Sequence, residues 1–571
     1  MSKRSSDSDD RGHHKGKPSL YLAVLRGDVG ELAALLERGA NPDRCTADGM
    51  TPLLLAAFLG NQSVVGALLG HASVDLPEPL GATPLFVAAQ EGHVAVMEAL
   101  IGAGAVVNAQ TQEGATPLCV AAQNGRVAAV EVLLRRGAAV DLSESEGRTP
   151  LWIAAQEGFV EVVAALLGGG AAVNRCNHGG ATPLYIVAQE GHAKVAELLL
   201  ERGAVDLPAS EGRTPLYAAA IKGHLAVVKV LMERGVDVNA CRTGGVSCLF
   251  SAAQEGHVAV VAALLLYGAT VDQAETEGRT PLWVAAQEGE LEVVEMLLGA
   301  GAVIDMAMNN GASPLLIAAQ EGELAVVEAL LLHGADVNKT MDDGRTPLFV
   351  VADRGHLAVA EVLLEAGADA DMAANGSYTT PLIMAADNGH VSVMEALLRN
   401  GASVDQFDFE GTTPLIMAAL NGHMEAVDVL LAHGADPAHE DAYGTAKSSA
   451  DEGGHRAIVE LLAVAGVARA AAEAGHVALF QAEIEGGALL APYRHWVPQL
   501  PPAARAELSA WVRGQLEAER LFFAAMHEGE AAPGPLQDLR DFDDLRRVLM
   551  GYFVWSPATR KLLREAVLAG L

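Results

Sequence analysis

The chain has 571 residues, with 51% apolar side chains, only 4% aromatic ones and a formal net charge of −34 at pH 7. The apolar fraction is too high for a disordered chain, and so acidic a surface repels nucleic acid and anionic lipid. The sequence contains neither the roughly 20 consecutive apolar residues that cross a bilayer nor a signal peptide at its start. These features predict a soluble intracellular protein, cytoplasmic or nuclear, that binds neither nucleic acid nor membranes.

The first segment, residues 1–18, is composed mainly of Ser, Asp, Lys, Arg, Gly and His. This composition is typical of a disordered tail. His13 and His14 fit a solvated pair better than a metal site, and no cofactor or metal is expected anywhere in the chain.

From residue 51 onward one stretch recurs every 32, 33 or 34 residues, with Thr280-Pro-Leu-Trp-Val-Ala-Ala-Gln-Glu-Gly289 as its clearest copy. A fixed period of this size predicts a solenoid, in which each unit buries its apolar face only against its neighbours. Residues 19–50 form an atypical first unit, and a degenerate unit starts at Thr445. The regular copies start at Thr51, Thr83, Thr116, Thr149, Thr182, Thr214, Ser247, Thr280, Ser313, Thr346, Thr380 and Thr413.

The sequence of each unit predicts two short helices. Thr280 is a good N-cap, the proline after it suits the first helical position, and Gly289 is expected to end the helix in a left-handed conformation. A second helix ends at another glycine, after which a hairpin-like loop rich in Gly, Asn and Asp leads to the next unit. The apolar residues at helical spacing in the second helix of the third unit are Val94, Met97, Leu100 and Ile101.

This helix–turn–helix–loop unit, with Thr-Pro-Leu, Ala-Ala, Gly-His, Leu-Leu and Gly-Ala at matching places, resembles the ankyrin repeat over residues 19–463. The resemblance implies an all-α solenoid of about fourteen repeats. Family members usually carry histidine after Thr-Pro-Leu, and we expect apolar packing to replace its hydrogen bonds in this chain. The residues found there are Phe86, Trp152, Tyr185, Tyr217, Phe250, Trp283 and Phe349.

The resemblance also implies a concave, partner-facing side that holds two sets of polar residues. The first set is the pair before the helix-ending glycine, namely Gln90, Glu91, Gln123, Asn124, Gln156, Glu157, Gln189, Glu190, Gln254, Glu255, Gln287, Glu288, Gln320 and Glu321. The second set is the loop-tip acids Glu113, Glu146, Glu211, Glu277, Asp343 and Glu410. The aromatic residues after Thr-Pro-Leu are expected to be partly reachable on the same side.

The charge distribution suggests what such a surface would bind. Residues 19–463 contain 56 acidic and 22 basic side chains, so the whole net charge of −34 lies in the repeats. We therefore expect an acidic groove with aromatic patches that attracts a basic protein partner. A second interpretation stays open, because Glu-Gly-Arg motifs recur at 65 or 66 residues and indicate duplication of repeat pairs. Recent copying can make positions alike without any ligand.

Histidine and cysteine carry no chemical motif in this sequence. Histidines follow the helix-turn glycine in many units, and a ladder spaced at about 10 Å cannot share one metal ion, so a structural role is predicted. The five cysteines include no Cys-x-x-Cys and are expected to be free thiols. The histidines are His93, His192, His224, His257, His356, His390, His423 and His455.

The C-terminal part differs in composition. Residues 464–487 read as a partial repeat or connector, and residues 488–571 as a helical module with helices near 503–527, 536–552 and 557–569. The module is either a lid on the last repeat, which we favour, or a docking element for a second partner.

Three functions follow from this organisation. The favoured one is a monomeric, non-enzymatic scaffold or adaptor that binds a protein on its concave face, since no catalytic or nucleotide-binding motif is found in the sequence. The alternatives are an adaptor that recruits an enzyme such as a ubiquitin ligase through the C-terminal helices, and an enzyme within 488–571.

Overall fold

The computed structural model describes residues 19–474, which form 28 α-helices and one short 3-10 helix, Ser210–Gly212. These residues contain no strand, only isolated β-bridges such as the one between Cys241 and Ser247. The all-α solenoid fold predicted from the sequence is confirmed. The tail at 1–18 and the module at 488–571 lie outside the described residues, as does most of the connector.

The helices alternate between two types, and each repeat consists of a first helix followed by a second helix. The first helices, with odd numbers from α1 to α27, are Ser19–Arg26, Pro52–Leu59, Pro84–Glu91, Pro117–Gln123, Pro150–Glu157, Pro183–Glu190, Pro215–Ile221, Cys248–Gln254, Pro281–Gln287, Pro314–Glu321, Pro347–Arg354, Pro381–Asp387, Pro414–Leu420 and Ala446–Glu452. The second helices, with even numbers from α2 to α28, are Val29–Glu37, Gln62–Leu69, Val94–Gly102, Val127–Arg135, Val160–Gly168, Ala193–Glu201, Leu225–Glu233, Val258–Leu266, Leu291–Gly299, Leu324–Leu332, Leu357–Glu365, Val391–Arg399, Met424–Ala432 and Arg456–Ala474.

The local sequence explains where each first helix begins and ends. In α9 the hydroxyl of Thr149 accepts a hydrogen bond from the Trp152 N–H at 3.2 Å, and Pro150 occupies the first helical position. Gly158 ends this helix with φ 79°, a backbone conformation that costs other residues about 1 kcal/mol or more. The predicted cap and glycine stop are therefore confirmed, and Gly289 likewise has φ 76°.

The second helices contribute most of the remaining core, although not always through the predicted residues. In α6, Met97 and Leu100 are fully buried, as the periodicity predicts, but Val94 and Ile101 are only half-buried. Val96 takes their place in the core. Positions 96, 97 and 100 share one face of the helix, whereas 94 and 101 lie seven residues apart at the edge of that face.

The repeats form two compact units. One contains residues 19–284 and 299–302, and the other contains residues 285–298 and 303–474. Within each unit, consecutive first helices pack together more closely than consecutive second helices. The alanine pair in the first helices, for example Ala154 and Ala155 with no exposed surface, permits this close approach.

Histidine side chains join neighbouring repeats. The ring of His192 lies against Gly158 of the preceding repeat, where an added Cβ would come within 2.6 Å of its Nδ1. Its Nε2 lies 2.9 Å from the backbone oxygen of Gln156. The same contact, at 2.8–3.2 Å, is made by His93, His224, His257, His356, His390, His423 and His455. The predicted structural role of these histidines is confirmed, and Arg126 takes the same role where histidine is missing.

The loops are joined by two further sets of hydrogen bonds between adjacent repeats. At the loop tips, a backbone N–H of one repeat donates to a carbonyl of the one before, as Ser145 does to Glu113 at 2.8 Å. Deeper in the loops an Asp or Asn side chain accepts from the next repeat, as Asn174 does from the Val205 N–H at 3.1 Å. Stacking is thus fixed by hydrogen bonds at both ends of the first helix.

The last described helix extends beyond the predicted end of the repeat array. Helix α28 runs from Arg456 to Ala474 and so continues past residue 463. Among residues 19–474, no helix combines the length and the apolar character needed to cross a bilayer.

Replacing Gly289 by valine should destabilise its unit by roughly 1–3 kcal/mol, because a β-branched residue resists positive φ. The new Cβ would also collide with the carboxylate of Glu323 in the next repeat. Local damage in a linear array can split the unfolding transition, so thermal unfolding should show an earlier or second transition. Gly299→Val is the matched control, since Gly299 is exposed and has open space around it. If both variants had the same melting temperature as the wild type, the positive φ of Gly289 would not constrain which residue can stand there.

The five cysteines, all free as predicted, should react with alkylating reagent in a definite order. Cys45 and Cys176 are exposed, whereas burial raises the pKa of the Cys119 and Cys248 thiols and keeps them protonated. Mass spectrometry should therefore find the first two modified in the native protein and all five only after unfolding. A count of three or one modifiable thiols without reductant would reveal a disulfide.

Asp206 should make stability depend on pH. Burial raises its pKa from 3.8 to about 6, and Asp237 adds to the rise. Its ionised form therefore destabilises the fold above pH 6, and this penalty disappears as the pH falls towards 3.8. Asp206→Asn should be more stable than the wild type at pH 7.5, by up to about 3 kcal/mol at roughly 1.4 kcal/mol per pKa unit, and equally stable at pH 4. Denaturant titrations would measure the free energy of unfolding of both proteins at the two pH values. An equal difference between variant and wild type at pH 7.5 and pH 4 would refute the prediction.

Candidate protein-binding surface

The Gln-Glu pair at the end of each first helix divides into two roles. At Gln156 and Gln189 the glutamine backbone oxygen binds the histidine of the next repeat. After Gln254 and Gln287, glutamate replaces that histidine. The glutamate side chain points outward: Glu190 accepts a hydrogen bond only from its neighbour Gln189, at 2.9 Å. The exposed members of this set, none of which forms an ion pair with a described residue, are Glu157, Glu190, Glu255, Glu288 and Glu321, while Glu91 is half-buried.

The loop-tip acids are also exposed, but most of them are already paired. The Glu-Gly-Arg motif folds back on itself, so that Arg213 lies 3.2 Å from Glu211 and Arg279 lies 3.3 Å from Glu277. Glu146 pairs with Arg148 at 3.3 Å, and Asp343 with Arg345 at 2.7 Å. The hydrogen bond from Arg345 lowers the pKa of Asp343. Only Glu113 and Glu410 are exposed without an arginine partner among the described residues.

A second carboxylate reinforces two of these arginines. Glu275 is buried, and its carboxylate lies 3.0 Å from Nε of Arg279. Burial acts to raise the pKa of Glu275, but the hydrogen bonds from the Arg279 side chain and from two backbone N–H groups lower it overall. Arg148 is held in the same way by Glu144. These two arginines are thus neutralised and lie over tryptophan rings, Arg279 at 5.9 Å from the ring centre of Trp283.

The expectation of reachable aromatic patches beside these residues is wrong. Trp152, Tyr185, Tyr217, Phe250, Trp283 and Phe349 are between 4% and 9% exposed, and only Phe86 is half-buried. They fill the space between first helices and loops, which confirms apolar packing. The expected loss of hydrogen bonding does not hold at Trp152, whose Nε1 donates to the Ala181 oxygen of the next repeat at 3.0 Å. An indole N–H can replace an imidazole N–H at this position.

Exposed aromatic side chains do occur, mainly in the last loops, although Phe58 on α3 is also 47% exposed. Tyr378 is 62% exposed with φ 57°, and Phe409 is 66% exposed. Phe407 stacks on His439 with ring centres 5.7 Å apart. The repeat analysis missed these residues because it followed the positions shared by all units. Their signal was an aromatic residue in loops that otherwise carry small or polar side chains.

A cleft of about 350 Å³ opens on the first-helix side of the sixth to eighth repeats. Two predicted residues, Gln189 and Glu211, line it. Tyr185 and Tyr217, two of the aromatic residues expected on this side, also line it. Its remaining polar lining residues, which the sequence does not single out for binding, are Arg213, Lys222 and Arg242. Burial raises the pKa of Tyr185, which keeps its hydroxyl protonated at neutral pH. This cleft is a basic site within an acidic surface.

Metal-binding geometry is absent from residues 19–474. No three His, Cys, Asp or Glu side chains of residues 19–474 are placed to hold a metal ion. Eight of the histidines are engaged with backbone oxygens of the preceding repeat. Asp206 and Asp428 each keep one buried carboxylate oxygen without a hydrogen-bond partner among the described residues. The first-helix ends and loop tips, in contrast, present many exposed polar groups.

Comparison with known proteins identifies the repeat. A family model described as ankyrin repeats, in three copies, matches residues 20–111, 96–177, 161–242, 237–308, 300–374 and 370–441. A search of curated proteins found no match to this chain. The matches together extend from residue 20 to residue 441 and include the helices, caps and loops described above. The chain therefore belongs to the ankyrin-repeat family, whose repeats generally serve as protein–protein interaction modules and are typically non-enzymatic.

Proposed function

We propose that this chain is a non-enzymatic scaffold that holds a basic segment of a protein partner through the glutamates at its first-helix ends. The main support is the set of exposed, unpaired carboxylates of Glu157, Glu190, Glu255, Glu288 and Glu321, which recur at one position of the repeat. Duplication of repeats does not by itself explain why these glutamates lack an arginine partner while most of the loop-tip acids have one. The helix-end set is therefore the stronger candidate.

The spacing of these acids defines the kind of partner that would fit. Neighbouring repeats are stacked at about 10 Å, and an extended chain advances about 3.3 Å per residue. A segment lying along one unit with Lys or Arg at every third residue would meet a carboxylate at each repeat that carries Gln-Glu. The pattern is interrupted at Asn124 and Lys222, where a uniform basic segment would lose a contact.

The strength of such binding would come from the set of contacts. An exposed ion pair contributes at most about 1 kcal/mol and is screened within roughly 8 Å at physiological salt. Several regularly spaced pairs add up, and the acidic surface also raises the rate of encounter with a cationic partner. The five free thiols fit a reducing compartment. We accordingly propose a monomer acting in the cytoplasm or nucleus.

Replacing Glu157, Glu190, Glu255, Glu288 and Glu321 together by Gln should weaken partner binding far more than any single replacement. Partners captured by the wild-type chain would first be identified by affinity purification and mass spectrometry. The affinity of each purified partner would then be measured between 50 and about 300 mM salt. A basic partner should lose at least tenfold in affinity with the fivefold variant, and its wild-type affinity should fall as salt rises.

The matched control changes the same charge on the second helices. Five glutamates there are exposed and form no ion pair with a described residue: Glu98, Glu161, Glu197, Glu328 and Glu395. Replacing them by Gln removes five negative charges, as the helix-end replacements do. This control should leave affinity within about twofold. If the affinity changed neither with salt nor with the helix-end replacements, the binding site would instead lie at the exposed loop aromatics or within residues 488–571.

A further inference from the structure

The seventh and eighth repeats differ from their neighbours at the end of α13 and in their loops. Ile221 and Lys222 stand where other first helices end in Gln-Glu, as in Gln287 and Glu288. Five residues before the N-cap, where several other repeats carry an acid such as Glu78, Glu144 or Glu275, the seventh repeat has alanine and the eighth has Arg242. Lys222 and Arg242 thus each place a positive charge where several other repeats carry glutamate.

Ile221, Lys222 and Arg242 line one cleft, the site of about 350 Å³ described above. Lys222 is exposed at its rim, at the end of α13. Arg242 reaches back from the loop of the eighth repeat and lies over the ring of Tyr217, 5.8 Å from its centre. Arg213 approaches from the loop of the seventh repeat and lies beside Tyr185, where burial raises the pKa of the phenol and the guanidinium acts to lower it. Residues that are distant in sequence thus meet around one space.

The cleft carries more positive charge than its counterparts. Arg148 and Arg279 are each held by two carboxylates. Because residue 209 is alanine, Arg213 has only Glu211 as its partner. Lys222 and Arg242 form no ion pair with a described residue. Three cationic groups therefore face a single carboxylate, which leaves a net charge of about +2 in a surface that is otherwise acidic.

The guanidinium groups also have unused hydrogen-bonding capacity. The Nε atoms of Arg213 and Arg242 are buried and have no hydrogen-bond partner in the described structure. A buried N–H without a partner costs roughly 1–3 kcal/mol, so a rotation of either side chain towards an anion would be favourable. Guanidinium forks and tyrosine hydroxyls suit the tetrahedral oxygens of a phosphate group.

We propose that this cleft binds a phosphate monoester, carried on a phosphorylated side chain of the protein segment that lies along the acidic surface. A phosphate monoester has a charge of about −1.5 to −2 at neutral pH, which matches the excess charge of the cleft. The proposal rests on the function proposed above for its choice of a protein segment. In a basic, repetitive partner, one phosphorylated residue would fix which repeat each basic residue meets.

The test uses the full chain and two small probes, O-phosphoserine amide and glutamate amide, titrated by calorimetry in phosphate-free buffer. Phosphoserine amide should bind the wild type at least tenfold more tightly than glutamate amide. Lys222→Glu combined with Arg242→Glu should weaken phosphoserine binding at least tenfold. This double variant should fold normally, because other repeats carry glutamate at both positions. Arg242→Gln alone, which should weaken binding severalfold, serves if the double variant melts early.

The matched control is Lys194→Glu with Lys229→Glu, which makes the same charge change at exposed positions of α12 and α14 and should leave phosphoserine binding unchanged. The variant with all five helix-end glutamates replaced should bind phosphoserine amide as tightly as the wild type does. The proposal for the cleft is therefore tested independently of the proposal for the acidic surface. Equal binding of the two probes, or undiminished phosphoserine binding by Lys222→Glu with Arg242→Glu, would overturn the proposal.

Discussion

The contact on which the array depends is made where each first helix ends. A glycine with positive φ stops the helix, and the absence of its Cβ leaves room for a side chain of the next repeat to lie on the backbone. At Gly158 that side chain is His192, whose Nε2 binds the Gln156 oxygen at 2.9 Å. One position therefore ends a helix, sets the distance to the next repeat and satisfies an otherwise free carbonyl.

This contact also determines which groups are left for binding. At Gln156, Gln189 and Gln320 the backbone oxygen of the glutamine binds the histidine of the next repeat, while the side chain of the adjacent glutamate is exposed. The arginines of the Glu-Gly-Arg loops neutralise most of the loop-tip acids, as Arg279 does with Glu275 and Glu277. Only part of the net charge of −34 is therefore available to attract a cationic partner. The unpaired carboxylates of that part lie mainly at the ends of the first helices. The basic cleft around Arg242 is a local exception on the same side.

Much of the fold could be predicted from the sequence, because the caps, glycines and alanine pairs act locally and repeat in phase. The candidate site was only partly predictable. The pairing of Glu146 with Arg148 depends on how the loop folds, and burial of Trp152 depends on its fit against the next repeat. The cleft was missed because averaging over repeats hides departures such as Lys222. Comparing each repeat with its copies would have revealed it.

The most direct test of the account is carboxyl footprinting of the complex. Glutamates of the full chain would be labelled with carbodiimide and an amine, with and without the purified partner, and quantified by mass spectrometry. We expect labelling of Glu157, Glu190 and Glu255 to fall in the complex, while the second-helix residues Glu161 and Glu197 label as before. Unchanged labelling at the first-helix ends in a saturated complex would contradict the central claim that these carboxylates hold the partner.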